Sequence, residues 1–250
     1  MEQSDDLIAD LIALDTIKTW SLIVTLFGDY QGTRLSGKDI RTFLEPLDLK
    51  PEAIRVALHR LKRDGWIGSA KSGREVQYSL TKKGRTETMA SYSDVYRQDA
   101  KYPNGWHVFL FDHDDDRRRI GTNSIHLGPN LYLAPETSET PSAGHLTLSL
   151  ETDLLPLWVQ KRIVGEDTLK IAEDLLRMAH RFECELNGAS ELRIALVRML
   201  FLHHWRKMAL RPACWAHVSL VPDGPIAGCH KEITEILAQT QHLDPRTATG

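Results

Sequence analysis

Residues 51–65, PEAIRVALHRLKRDG, leave little choice of structure. Ile54, Ala57, Leu58 and Leu61 recur at i, i+3, i+4 and i+7. That spacing makes one stripe on an α-helix but would scatter over both faces of a strand. Pro51 suits a first turn, Asp48 or Lys50 stands near the cap, and Gly65 supplies the stop. With successive side chains turning by about 100° around a helix, Glu52, Val56, His59 and Arg63 project from the face opposite the stripe. Arg55, Arg60 and Lys62 flank them.

The flanking chain offers surfaces on which the stripe can be buried. Residues 16–27, TIKTWSLIVTLF, are apolar on most sides and stop at Gly28, as a buried helix ended by a C-terminal glycine would. Ser36 stands three residues before Asp39, close to a capping box, ahead of Ile40, Phe43 and Leu44. This predicts a second, short helix ending near Pro46. After the 51–65 helix, residues 66–70 and 75–80 read as two strands joined by the turn Lys71-Ser72-Gly73-Arg74. Three helices followed by a hairpin with a basic, glycine-containing tip predict a winged helix-turn-helix.

Charge supports that reading only when counted by segment. The total is -3, but residues 34–85 carry thirteen Lys/Arg against six Asp/Glu, a net +7, while 1–33 and 86–250 are each net -5. A basic segment between acidic ones has two readings, a solvated face or the footprint of a nucleic-acid-binding module. The helical pattern inside it favours the second. An α-helix fits the major groove, where Arg pairs with guanine edges and His or Glu reaches other bases. Arg55 and His59 are the expected base contacts, with Glu52, Val56 and Arg60 on the same surface. Arg63, Lys71, Ser72 and Arg74 are expected at phosphates or the minor groove, as are Lys38 and Lys50 and, in the TKKGR segment, Lys82, Lys83 and Arg85.

Several motifs extend the picture to nearly the whole chain. FGDY at 27–30, AIRVALHRLKRDGWI at 53–67, the tyrosine-containing return strand and LTKKGR at 80–85 resemble the PaaX family of bacterial transcriptional regulators. WHVFLF at 106–111 and LGPNLYLAP at 127–135 resemble that family's central ferredoxin-like module. Leu192-Arg193, Leu196-Val197, His204-Trp205-Arg206-Lys207, Val221-Pro222-Asp223 and Pro225 resemble its C-terminal helical domain. The resemblance implies a homodimeric repressor, bound to double-stranded promoter DNA and released by an aryl-CoA thioester such as phenylacetyl-CoA. Two departures bear on the effector. The segment 114–128 is poor in the leucines of the family's central helix, and Gly224 stands where a tryptophan is common.

The expected fold is therefore α+β and multidomain. A winged helix-turn-helix unit with an N-terminal helix occupies 1–98, a small ferredoxin-like α+β module 99–150, and an α-helical effector and dimerisation domain 151–250. Residues 106–111, 130–134 and 145–150 read as strands and 135–144 as a loop. Helical periodicity runs through Leu169, Ala172, Leu175, Leu176, Ala179, Phe182 and Leu186. It resumes at Leu192, Ala195, Leu196, Met199 and Leu200, and again at Ile226, Cys229, Ile233, Ile236 and Leu237.

Other constellations admit a chemical and a bland reading. Arg193, His203, His204, Trp205, Arg206 and Lys207 suit either the phosphates and acyl group of a CoA thioester or interhelix salt bridges. Asp112 and Asp114, Asp115 and Asp116 suit either a metal-dependent nuclease or a solvated acidic turn. His203, His204, Cys214, His217, Cys229 and His230 lack the paired spacings of zinc sites and read as packed thiols and histidines. The expectation is no metal and no cofactor. With no phosphate loop, GxSxG elbow or HExxH helix, an enzyme is not expected. The acidic start and the absence of a long apolar run predict no membrane segment and a cytoplasmic location, which the odd, unpaired set Cys184, Cys214 and Cys229 suits. The alternative function is a ligand-independent dimeric DNA-binding protein.

Overall fold

The structure is a computed structural model that describes residues 6–30, 34–96, 105–112, 124–136, 144–150, 155–182, 184 and 188–240. It is an α+β protein whose two sheets are antiparallel.

The first helix, α1 (Leu7–Ala13), is capped by Asp6, whose side chain accepts a hydrogen bond from the Ile8 amide at 3.1 Å, and it buries Leu7, Ile8 and Leu11. The second, α2 (Thr19–Asp29), runs through Gly28, so the expected glycine stop lies inside the helix. Its last turn closes when the Tyr30 amide donates to the Leu26 carbonyl at 3.1 Å. Strand β1 (Leu35–Ser36) leads into α3 (Gly37–Leu44), where both halves of the capping box form. Asp39 N donates to Ser36 Oγ at 3.0 Å, and Ser36 N donates to Asp39 Oδ2 at 2.7 Å. A 3-10 turn at Glu45–Leu47 carries the chain to α4 (Pro51–Arg63).

The hairpin consists of β2 (Ile67–Ser72) and β3 (Glu75–Leu80), paired at six positions from Ile67↔Leu80 to Ser72↔Glu75. Lys71 and Ser72 lie in the strand, and the turn is only Gly73-Arg74. Gly73, at φ +62°, takes the left-handed first position that a tight two-residue hairpin needs. The two-residue β1 pairs with the far edge of β3, giving the sheet order β1-β3-β2. Helix α5 (Lys82–Tyr96) follows.

The second sheet contains β4 (Trp106–Phe111), β5 (Ile125–Gly128), β6 (Leu131–Pro135) and β7 (His145–Leu150), in the order β5-β6-β4-β7. Strand β5 occupies the end of the leucine-poor segment 114–128; residues 113–123 are outside the described residues. One face of this sheet, with Trp106, Ile125, Leu127 and Leu133, packs on α6 (Leu157–Val164) and α9 (Pro212–Leu220) through Ile163, Ala216 and Leu220. Trp106 Nε1 donates to Ser219 Oγ at 3.0 Å, and Arg162 donates to the Leu127 carbonyl at 2.9 Å.

Helices α7 (Glu166–Ala179), α8 (Glu191–Ala209) and α10 (Pro225–Gln239) complete the chain. The periodic positions of all three are buried or half-buried, apart from Leu186, which lies outside the described residues. Helix α8 is buried on all sides from Ala195 to Trp205, as befits a central helix. One apolar cluster runs from Leu7 and Leu22 through Ile54 and Leu61 to Leu196, Trp205 and Ile233. The helices beside the first sheet and those of the C-terminal region therefore share a core.

Candidate nucleic-acid interface

The stripe on α4 is buried as its spacing demands: Ile54, Ala57, Leu58 and Leu61 join the core that includes Leu22, Ile23 and Leu26 of α2. The opposite face is open. Glu52, Arg55, Val56, His59, Arg60, Lys62 and Arg63 are all exposed. Val56 is 69% exposed in the middle of this charged surface, where an apolar side chain gains nothing from folding.

The basic side chains of α4 are not equivalent. Arg60 sits with its guanidinium carbon 5.0 Å from the centroid of the Trp20 ring and its Nε 3.6 Å from the Asp64 carboxylate, and Arg63 Nε donates to the same carboxylate at 3.2 Å. These contacts hold the C-terminal end of the helix in place. Arg55 and His59 make no hydrogen bond or ion pair among the described residues. They can turn toward a ligand without breaking a contact.

Sequence at the start of α5 fixes the hairpin relative to α4. Thr81 Oγ1 donates to the Gly65 carbonyl at 2.7 Å and accepts from the Gly84 amide at 3.0 Å. A Cβ at position 84 would stand 2.2 Å from the Trp66 carbonyl oxygen, a distance no side chain tolerates, so only glycine lets α5 start there. Lys83 Nζ donates to the Asp64 carbonyl at 3.0 Å, which ties it to the end of α4. Lys82 and Arg85 are exposed, as are Lys71, Ser72 and Arg74 at the hairpin tip.

A cleft of about 300 Å³ opens between the start of α3, the first turns of α4 and β3. Lys38, Arg41, Arg55 and Tyr78 line it. Arg41 is absent from the sequence-based set, although it lies three residues after Lys38 and so on the same side of α3. Its Nε donates to the Gly37 carbonyl at 3.2 Å, which turns the side chain toward the start of the helix. Lys50 is exposed at the N-cap of α4. Lys38 and Arg41 of α3 and Arg55 of α4 thus line one concave surface, to which the hairpin adds Glu75, Val76 and Tyr78.

The six residues considered for an effector lie elsewhere, along α8. Arg193 pairs with Asp6 at 3.1 Å, and Lys207 pairs with Asp15. His203 Nδ1 is 3.3 Å from the Thr25 hydroxyl, while His204 Nε2 donates to the Leu11 carbonyl at 2.8 Å. Trp205 Nε1 donates to the Val95 carbonyl at 2.9 Å. Burial, helped by neighbouring positive charge, pulls the His203 imidazole down to about 3, and burial takes His204 down to about 4. Both are neutral. This is the interhelix role, in which α8 holds α1, α2 and α5. Arg206 borders a groove between α2, α5 and α8.

The His/Cys set is dispersed. Cys229 Sγ donates to the Ala172 carbonyl at 3.1 Å, His230 stacks on Trp205 with ring centroids 5.4 Å apart, and His217 is fully buried with both ring nitrogens unpaired. Burial pushes the Cys214 thiol up to about 11 and Cys229 up to about 12, so both are neutral thiols. Among the described residues no three His, Cys, Asp or Glu side chains converge as metal ligands. Asp112 closes β4, and its carbonyl accepts from Asn130 Nδ2 at 3.1 Å; Asp114, Asp115 and Asp116 lie outside the described residues. No helix among the described residues is long and apolar enough to cross a membrane.

Residues 18–84, which contain this surface from α2 to the start of α5, match the family described as PaaX-like protein. The chain is 28% identical over 147 residues to the transcriptional repressor PaaX of Escherichia coli K12. That match spans 57% of this chain and 46% of the relative, so the chain matches about half of the relative's length. Among solved structures it is similar to the uncharacterized protein Rv0674 from Mycobacterium tuberculosis, at 14% identity and a TM-score of 0.44, over 92% of this chain and 97% of that one.

Proposed function

We propose that this chain, PaaX-like over residues 18–84, is a sequence-specific DNA-binding transcriptional regulator acting as a repressor. The observation that carries the reading is the open face of α4, where Arg55, Val56 and His59 stand exposed beside a hairpin tip bearing Lys71 and Arg74. Helices α2, α3 and α4 with the hairpin constitute a winged helix-turn-helix. In it α4 enters the major groove and the tip reaches phosphates or the minor groove. The Escherichia coli relative is itself a repressor, in keeping with this use of the surface.

The remaining parts follow as extensions of this reading. Residues 99–150 act as a ferredoxin-like module, supported by the strand order β5-β6-β4-β7 with every pair antiparallel. Residues 151–250 carry assembly and control. The protein works in the cytoplasm as a homodimer, presenting two α4 helices to successive major grooves of an imperfect palindrome. An acyl-CoA thioester relieves repression by binding better to a conformation whose α4 helices no longer match the half-site spacing. That ligand rests on the family resemblance. The packing of Arg193, His203, His204, Trp205 and Lys207 gives it no seat, and the protein needs no cofactor and catalyses no reaction.

Selection of bound duplexes from a random DNA pool tests the central statement. A two-fold symmetric consensus with half-sites about 10 base pairs apart, or a multiple of that spacing, is expected. Enrichment of no sequence would refute it.

A further inference from the structure

A groove of about 560 Å³ lies between the end of α1 with its linker to α2 and the turn that leads from α3 into α4. Its walls are aliphatic. Leu22 and Leu47, both buried, line it together with the half-buried Ile12, Ile17 and Leu49. The polar side chains on it are those of Asp15, Thr16 and Asp48, and among the described residues no lysine, arginine, histidine or aromatic ring lines it. Its charge is thus the reverse of the cleft beside α3 and α4, where Lys38, Arg41 and Arg55 meet.

The two carboxylates are not equivalent. Asp15 Oδ1 accepts from the Thr16 amide at 2.7 Å and Oδ2 accepts from Lys207, so this carboxylate is held in place and its charge is matched. Asp48 is exposed, and its carboxylate makes no hydrogen bond or ion pair among the described residues. A small-molecule site is typically a concave, mostly apolar surface of about 300–1,000 Å³ with a few polar groups that orient the ligand. Half-buried aliphatic side chains gain further by being covered. A free carboxylate beside them favours a charged donor and repels an anion. We propose that this groove binds a small aliphatic amine in its ammonium form, its alkyl chain against Ile12, Ile17 and Leu49 and its ammonium group on Asp48. A coenzyme A thioester, with its phosphates, carries the wrong charge for this groove, so the site is separate from the thioester response described above.

The groove joins two segments that lead to different parts of the protein. Leu47, Asp48 and Leu49 make the turn into α4, while Asp15 ties the α1–α2 linker to Lys207 on α8. A ligand seated between them holds the turn before α4 against a linker anchored on α8. That restraint is read in the protein alone, so its test does not depend on DNA recognition.

The test titrates the full-length protein at neutral pH with n-hexylammonium chloride, sodium hexanoate, 1-hexanol and methylammonium chloride, followed by calorimetry and by amide hydrogen exchange. Hexylammonium should bind saturably and slow exchange at residues 47–49. Hexanoate and hexanol should bind at least about tenfold more weakly, the value of one charge-assisted hydrogen bond, and methylammonium, which lacks the chain, should not saturate. Asp48→Asn should weaken hexylammonium by at least about tenfold. Asparagine tolerates the left-handed backbone of position 48, at φ +54°, so the turn is kept. Ala13→Arg, at an exposed position on the groove, should abolish binding without altering a buried residue. Equal binding of hexanol or hexanoate would overturn the role of Asp48, and equal binding of methylammonium would overturn the aliphatic contact. No hexylammonium binding, binding unchanged in either variant, or binding without slower exchange at residues 47–49 would overturn the site.

Discussion

Arg198, in the middle of α8, holds Asp29, the last residue of α2, through two hydrogen bonds of 2.8 and 2.7 Å. The pair is almost out of water, with side-chain exposures of 8% and 3%. Tyr96 at the end of α5 donates to Asp29 at 3.2 Å, and Arg198 donates onward to the Leu237 carbonyl and the Thr240 hydroxyl at the end of α10. Burial alone would disfavour the arginine's charge, but Asp29 outweighs it and raises the guanidinium above its ordinary value. Four helices meet at one buried ion pair, and two of them flank the surface assigned to DNA.

Removing one partner leaves the other charged and desolvated. Asp29→Asn should therefore cost about 3–5 kcal/mol in urea unfolding, whereas the double change Asp29→Leu with Arg198→Met should recover much of it. A loss below about 1 kcal/mol for the single change would show the pair to be effectively solvated.

Acid should unfold the protein through its histidines. His203 is held at about 3 by burial and nearby positive charge, and His204 and His217 at about 4, chiefly by burial. In the unfolded chain each takes up its proton near 6.5, so between about 6.5 and 4 the unfolded state binds more protons. Stability is then complete above about pH 6.5 and falls as pH drops, by up to about 1.4 kcal/mol per unit for each histidine. Denaturant midpoints measured from pH 7.5 down to about 5 should decline steadily; a flat profile would mean these rings are protonated in the fold.

Two glycines in contact with α5 or belonging to it should respond oppositely to alanine. At Gly84 the new Cβ would meet the Trp66 carbonyl at 2.2 Å, so Gly84→Ala should destabilise by roughly 1–3 kcal/mol. At Gly28 the nearest atom is Thr88 Cγ2 at 3.6 Å, ordinary contact inside a helix, and Gly28→Ala should stabilise by about 0.5–1 kcal/mol. Thermal melts of the two variants decide this, and equal shifts would contradict the close approach of α5 to Trp66.

Contacts to bases and to phosphates should separate in binding experiments. Arg74→Ala should weaken all duplexes alike and reduce the slope of log affinity against log salt by about 1. His59→Ala should change which base is preferred at one position, by about 1–3 kcal/mol. Arg41→Ala should behave like Arg74→Ala, because Arg41 lines the cleft at the foot of α4. Identical specificity profiles for all three would dissolve the distinction.

Where one residue has one role, the sequence was easy to read. The stripe of α4 and the Ser36–Asp39 capping box emerge as expected, since helical spacing and local capping do not depend on distant chain. Ser36 also shows the limit: it caps α3 while belonging to β1, a strand so short that only its partner on β3 reveals it. Strand β5 was hidden inside a polar segment for the same reason, as its hydrophobic face is defined by α6 across the sheet. The cations of α8 resembled a ligand site because their partners, Asp6 and Asp15, are nearly two hundred residues away. Arg41 went unnoticed because the cleft it lines exists only once α3, α4 and β3 are packed together.

The exposed face of α4 is the surface proposed to read DNA. The most direct measurement is fluorescence anisotropy of a duplex selected by the wild-type protein, titrated with Arg55→Glu, with Lys170→Glu on the outer face of α7, and with wild type. Arg55→Glu should lose at least about a hundredfold in affinity, an interaction removed and a repulsion added, while Lys170→Glu binds as the wild type does. Retention of full affinity by Arg55→Glu would contradict the account.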